Sequence, residues 1–166
     1  MTGGIRNGRP RMGGDRRPKP PVAGSASAPQ TQTQAKKRVL FVCIGNACRS
    51  QMAESFAKAY GSDALIVQSA GLAPAAGLPP LTRQTLSEKN ISSEGQFPKA
   101  VELFTPEKFD VVINLSGESL PHSRVWARVI DWNVRDPIGE SEDVYRAVAA
   151  QIEALVMRLI LELRGT

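Results

Sequence analysis

A cysteine and an arginine stand six residues apart, Cys43 and Arg49, in the stretch V-L-F-V-C-I-G-N-A-C-R-S from Val39 to Ser50. A thiolate is a strong nucleophile, and the planar fork of a guanidinium matches two oxygens of a phosphate-like anion. Between them, Gly45 and Asn46 tolerate backbone conformations closed to most residues, so the loop can curl and turn successive amides inward. The residues Ile44, Gly45, Asn46, Ala47, Cys48, Arg49 and Ser50 are therefore expected to line a phosphate-sized site. Ser50 can hydrogen-bond the Cys43 sulfur, and the side chain of Asn46 can pin the loop. A thiol within such an electropositive site is expected to be a thiolate. The chemistry that fits is attack on a phosphoryl group, giving a phosphocysteine that water then hydrolyses.

That chemistry needs a proton donor for the leaving oxygen and later a base for the water. Asp136 is the candidate, followed by Pro137, which stiffens its turn. Asp110 opens a strand and belongs to the opposite edge of the sheet. Asp131 and Glu142 are placed to act only through other residues. One histidine, His122, and two cysteines sharing one loop do not assemble a metal-ligand set, so neither metal nor cofactor is expected.

To position these groups, Val39–Val42 reads as a buried strand that delivers Cys43, and a helix over Gln51–Tyr60 follows, with Gly61 as its stop. A second strand is expected over 64–70, a helix from Leu81 to about Lys89, and a short helical turn over 100–104. Phe109–Leu115 is the third strand, a fourth lies within 124–132, and a helix opening at Ser141 or Glu142 runs to Gly165 with Val144, Val148, Ile152, Leu155, Leu159 and Leu163 on one stripe. Strands alternating with helices predict an α/β fold, a three-layer parallel sheet with helices on both faces. The end of the first strand is where such sheets bind ligands.

Charge divides the chain. Of 21 Lys and Arg and 16 Asp and Glu, residues 1–38 hold nine basic and one acidic, so the remainder carries 12 against 15, a formal −3. The basic character belongs to the leader, and a nucleic-acid partner is not expected for the domain. Residues 1–36, rich in Gly, Pro and Arg, are expected to be a disordered tail ahead of a domain over 37–166. Docking of Arg16–Pro21 as an extended proline helix, contact with RNA or anionic lipid, and an upstream-assigned start remain open for that tail. Two cysteines, no apolar run of membrane-spanning length and no secretory-type leader point to a cytoplasmic protein with no membrane partner.

The stretch V-L-F-V-C-I-G-N-A-C-R-S-Q-M-A-E, with Ser69-Ala70-Gly71, F-D-V-V-I and Asp136-Pro137, resembles the low-molecular-weight protein tyrosine phosphatases and the related thioredoxin-coupled arsenate reductases. The resemblance spans about residues 37–164. It implies a four-stranded parallel sheet, Cys43 as nucleophile, Arg49 as clamp, Asp136 as general acid, and a reversible Cys43–Cys48 disulfide that shields the nucleophile. Tyrosine-specific members carry tyrosines directly after Asp-Pro, where this chain has Ile138-Gly139. The arsenate reductases require a relay cysteine after the third strand, where this chain has Asn114-Leu115-Ser116, and no cysteine follows Cys48. The expected function is a cysteine-dependent phosphomonoesterase acting on a phosphorylated protein or a small phosphomonoester. The alternatives are an arsenate reductase that uses an external thiol and a non-catalytic phosphate-binding module.

Overall fold

The computed structural model describes residues 33–166 continuously; before them it describes only Gly3, Gly4, Gly8, Gly13, Gly14, Pro18, Pro21 and Gly24. The tail expected over 1–36 therefore lies largely outside the described residues. Strands β1 (Lys37–Cys43), β2 (Leu65–Gly71), β3 (Val111–Asn114) and β4 (Val129–Asp131) form one parallel sheet in the order β2-β1-β3-β4. The α-helices are α1 (Arg49–Gly61), α2 (Pro80–Glu88) and α3 (Glu142–Arg164). The chain leaves β1 to one side, through α1 to β2, then returns across it to β3. The switch in direction falls at the carboxyl end of β1, the crevice that favours a ligand in open α/β sheets.

The alternation of side chains along β1 divides the core. Val39 and Phe41 face a cluster built with Met52, Ala53 and Phe56 of α1, Leu86 of α2, and Val148, Ile152 and Leu159 of α3. Leu40 and Val42 face the other way, onto Val101, Val112 and Trp126. All three α-helices thus gather on one face, while the second is covered by the 3-10 turn Val101–Leu103 and by the long connection that carries Trp126. Pro98, Pro106 and Pro121 punctuate that covering segment, which keeps it from forming longer helices. A further 3-10 turn, Pro106–Lys108, has no counterpart in the sequence reading.

Two details refine the expected elements. Ser141 caps α3, its Oγ accepting from the Val144 amide at 3.4 Å. Gly61 is the last residue of α1 rather than a left-handed stop. A Cβ there would lie 2.8 Å from Ile160 on α3, so the glycine permits the close approach of the two helices.

Candidate active site

Six carbonyls in succession along the Cys43 loop point away from its centre, and each has a partner. Those of Cys43, Ile44 and Gly45 accept from the amides of Leu72, Ala73 and Ala75 at 3.0, 2.8 and 2.9 Å. Asn46 O accepts from Gln51 Nε2 at 3.0 Å, Ala47 O from Thr82 Oγ1 at 3.0 Å, and Cys48 O from the Met52 amide at 2.8 Å. The amides from Ile44 to Arg49 donate to no protein acceptor among the described residues. Burying amides without a partner is costly, and this row at a helix N-terminus is suited to an anion.

The curl depends on two residues. Asn46 takes φ 48°, a left-handed conformation that Asn tolerates best among residues with a side chain. Its Nδ2 donates to Ser50 Oγ at 2.8 Å, while its Oδ1 accepts from the Lys99 amide at 2.8 Å and from Gln51 Nε2 at 3.1 Å. Gly71, at the end of β2, backs the loop so closely that a Cβ would lie 2.8 Å from Ile44 O and 2.9 Å from the Asn46 amide nitrogen. Ser69-Ala70-Gly71 thus ends in a residue whose lack of a side chain lets the two segments pair.

At the floor, Cys43 is 3% exposed and its Sγ lies 2.9 Å from Ser50 Oγ. Arg49 is held by the ends of two strands: Nη1 donates to Leu115 O at 2.6 Å, just past β3, and to Val134 O at 3.2 Å, beyond β4. Its Nη2 lies 3.3 Å from Asp136 Oδ2. The Arg49 side chain is 7% exposed and that of Asp136 is 47%, so the arginine belongs to the floor and the carboxylate to the mouth. Asp136 Oδ1 accepts from the Ile138 amide at 3.1 Å, so the residue is a turn former as well as a neighbour of Arg49. Asp110 accepts from the Arg38 amide at 2.7 Å, at the far edge of the sheet.

The expected residues thus come together: Cys43, Ser50 and Arg49 in one cradle, with Asp136 against it. The sequence reading missed the supports. Gln51 donates to Asn46 and to Phe97 O at 3.0 Å, and Thr82 reaches in from α2; neither contact leaves a signal in the sequence. Tyr145, the tyrosine nearest in sequence to Asp136, is 2% exposed in the core, while Ile138 stands exposed at the mouth. Trp132 packs its ring 6.0 Å from that of Phe41 and also lines a cleft beside β4. Among the described residues no group of three or more His, Cys, Asp or Glu is placed to hold a metal ion.

Cys48 is the second buried thiol of the loop. Burial pushes its thiol up to about 12, against an ordinary 9.0. Both thiols are free. The folded chain therefore keeps a proton that the unfolded chain loses at lower pH. Cys48 leaves stability unaffected below pH 9 and lowers it progressively as pH rises toward 12, by up to ~1.4 kcal/mol per pH unit. Urea denaturation at several values between about pH 8 and 11 should show a steeper alkaline loss in the wild type than in Cys48→Ala. Equal slopes would remove this account of Cys48.

Comparison with known proteins agrees with this geometry. The family model for low molecular weight phosphotyrosine protein phosphatase matches residues 38–166. A glutaredoxin arsenate reductase of Synechocystis sp. is 38% identical over 130 residues, covering 76% of this chain and 98% of the relative. Arsenate reductase 1 of Bacillus cereus is 32% identical over 126 residues, covering 74% and 93%. Among solved structures, an arsenate reductase in the phosphate binding state superposes with a TM-score of 0.72 at 38% identity, covering 76% of this chain and 98% of that one. With its cradle, its sheet order and a family match that takes in every described strand but the first residue of β1, the chain belongs to the low molecular weight phosphotyrosine protein phosphatase family.

Proposed function

We propose that the protein reduces arsenate, with Cys43 as nucleophile and a thiol from outside the chain as the resolving partner. The observation that carries this reading is the pairing of an oxyanion cradle around one thiol with relatives, matched over nearly their whole length, that are arsenate reductases. Arsenate has the shape and charge of phosphate and would meet the same amides and the same guanidinium. The Cys43 thiolate attacks arsenic, an As–O bond breaks, and the departing oxygen leaves as water with a proton delivered through Asp136. An external thiolate then attacks Cys43 Sγ. The S–S bond forms, the electron pair of the S–As bond passes to arsenic, and arsenite departs. A second equivalent of thiol cleaves the mixed disulfide, so one arsenate and two thiols give arsenite, one disulfide and water.

The second thiol must be external because the chain has no cysteine beyond Cys48. Cys48, held protonated by burial, is a poor attacking group. Where a relay thiol would follow β3, Ser116 Oγ donates to Asn114 Oδ1 at 2.6 Å and accepts from the Glu118 amide at 3.0 Å. A reducing cytoplasm is the setting this reading requires, since Cys43 must be returned to the thiol. The test is arsenate consumption by purified protein with small thiols, and separately with a redoxin and its reductase. No arsenite in either case would sink the reading.

Hydrolysis of phosphomonoesters is the second reading, and Asp136 favours it. An oxyanion on Arg49 displaces the carboxylate from Nη2 and leaves it at the mouth, facing the leaving oxygen. Ile138 and Gly139 give that mouth no aromatic wall, which favours small esters over phosphotyrosine. If Asp136 is the acid, Asp136→Asn should slow hydrolysis of alkyl phosphates by about 10²–10⁴-fold and that of p-nitrophenyl phosphate much less. A uniform loss across leaving groups would assign Asp136 to the turn and to Arg49 alone. Tight phosphate binding with neither reaction would leave the non-catalytic module.

A further inference from the structure

Gln51, in the first turn of α1, is fully buried, yet its Oε1 accepts from no donor among the described residues. A buried acceptor without a partner is costly, and an apolar side chain of similar length would avoid that cost. What the glutamine supplies is therefore at Nε2. This nitrogen lies 3.0 Å from Asn46 O, 3.1 Å from Asn46 Oδ1 and 3.0 Å from Phe97 O. Two of these are backbone carbonyls, and the third is fixed as an oxygen by the Lys99 amide at 2.8 Å. Only acceptors meet this end of the side chain, so the amide is oriented and Oε1 is the end left over.

Asn46 O has no other protein donor among the described residues. A peptide unit is planar and trans, so its carbonyl and the following N–H point in opposite directions. By holding Asn46 O behind the loop, Gln51 turns the Ala47 amide toward the centre. The neighbouring amides are aimed by other groups: that of Gly45 by the bond from the Ala73 amide to Ile44 O, and that of Cys48 by the bond from Thr82 to Ala47 O. The second contact works through a side chain. With its Oδ1 engaged, Asn46 donates from Nδ2 to Ser50 Oγ at 2.8 Å, which leaves the Ser50 hydrogen for Cys43 Sγ at 2.9 Å. The third ties Phe97 O and so steadies the segment that carries the Lys99 amide to Asn46. Asn46 itself sits at φ 48°, a conformation that persists only where its surroundings hold it.

We propose that Gln51 is a positioning residue for the oxyanion: it aims the Ala47 amide at the anion and, through Asn46, the Ser50 hydroxyl at Cys43. The inference rests on the oxyanion cradle, which reduction and hydrolysis would share, and on neither reaction alone.

Inorganic phosphate titrated into the full-length protein tests this, with affinity measured by calorimetry and the amide signals of the loop followed by NMR. Gln51→Met should weaken phosphate binding about tenfold, the worth of roughly one aimed donor. At saturating phosphate, the downfield shift of the Ala47 amide should shrink while that of the Gly45 amide is retained. Gln51→Glu, which keeps the length of the side chain and loses both N–H groups when ionised, should behave alike. Gln96→Met is the control, because it cuts only the bond from Gln96 Nε2 to Ser55 Oγ at 2.7 Å, the next tie between the same segment and α1. It should leave phosphate affinity unchanged. Unchanged affinity in both Gln51 variants, or a loss spread evenly over all the loop amides, overturns the inference. An equal loss in Gln96→Met overturns it too, by assigning the effect to packing of the segment, and so does failure of both Gln51 variants to fold, which would make the residue structural. Phosphate binding by wild type that depends on Gln51, with no turnover of arsenate or of an ester, sinks the proposed reactions and keeps the positioning role.

Discussion

Cys43→Ser should abolish turnover, by at least about 10³-fold in kcat, while the protein still binds phosphate or arsenate with near wild-type affinity. The two halves of that result follow from different groups. Turnover is expected to need the sulfur, because a serine hydroxyl beside Ser50 would have no base within hydrogen-bond reach among the described residues, and a serine cannot form the disulfide that reduction requires. Binding needs the amides of Ile44 to Arg49 and the Arg49 fork, and the carbonyl partners that turn those amides inward do not involve the Cys43 side chain. Isothermal titration with phosphate, beside turnover of arsenate and of p-nitrophenyl phosphate, separates the two. Appreciable residual turnover would mean that another residue is the nucleophile. Loss of binding as well would mean that the Cys43 sulfur, with its 2.9 Å contact to Ser50, helps to hold the loop.

The parts of the site that lie close together in sequence were the parts that sequence could disclose. Val39 to Ser50 carries its own strand signal, its own turn residues and its own helix start, so the strand, the curled loop and the placement of Cys43 and Arg49 around it were legible from a dozen residues. The position of Asp136 beside Arg49 was legible by combining a turn signal with the edge of the sheet on which its strand ends. What holds the cradle was hidden, because Leu72–Ala75, Thr82 and Lys99 reach the loop through tertiary contacts that leave no local pattern. Gly61 shows the same limit. A glycine after a helical stripe reads as a stop, and only the packed Ile160 reveals that it is a point of close approach. The second face of the sheet was legible in kind but not in form. Its apolar residues were evident, yet three prolines between 98 and 121 replaced the α-helices of a regular crossover with 3-10 turns and loop. The cleft beside β4 is assembled from a connection with no periodicity, and so had no sequence signature.

Arg49→Lys should take its effect through binding, as a fall in phosphate affinity. The native guanidinium spends Nη1 on Leu115 O and Val134 O and directs Nη2 toward the mouth, where Asp136 now lies at 3.3 Å. An oxyanion needs two parallel donors from that fork, in addition to the amides. A lysine ammonium has three donors around a single point, so it can satisfy the strand-end carbonyls or the oxyanion, and not both in the same geometry. Losing one to two charge-assisted hydrogen bonds, at ~1.5–3 kcal/mol each, corresponds to a fall in phosphate affinity of about 10- to 10⁴-fold. The positive charge itself is kept, so a result near wild type would show that charge rather than the fork does the binding. Thermal denaturation supplies an independent readout, because a ligand that binds only the folded state stabilises it by RT ln(1 + [L]/Kd). Wild type should melt at a higher temperature as phosphate is raised, and Arg49→Lys should not respond over the same range. In the absence of phosphate, Arg49→Ala should melt lower still than Arg49→Lys, since the carbonyls of Leu115 and Val134, both buried residues, then lose their only side-chain donor among the described residues. That ordering distinguishes an arginine that both closes the floor of the cradle and clamps the anion from one that does only the second.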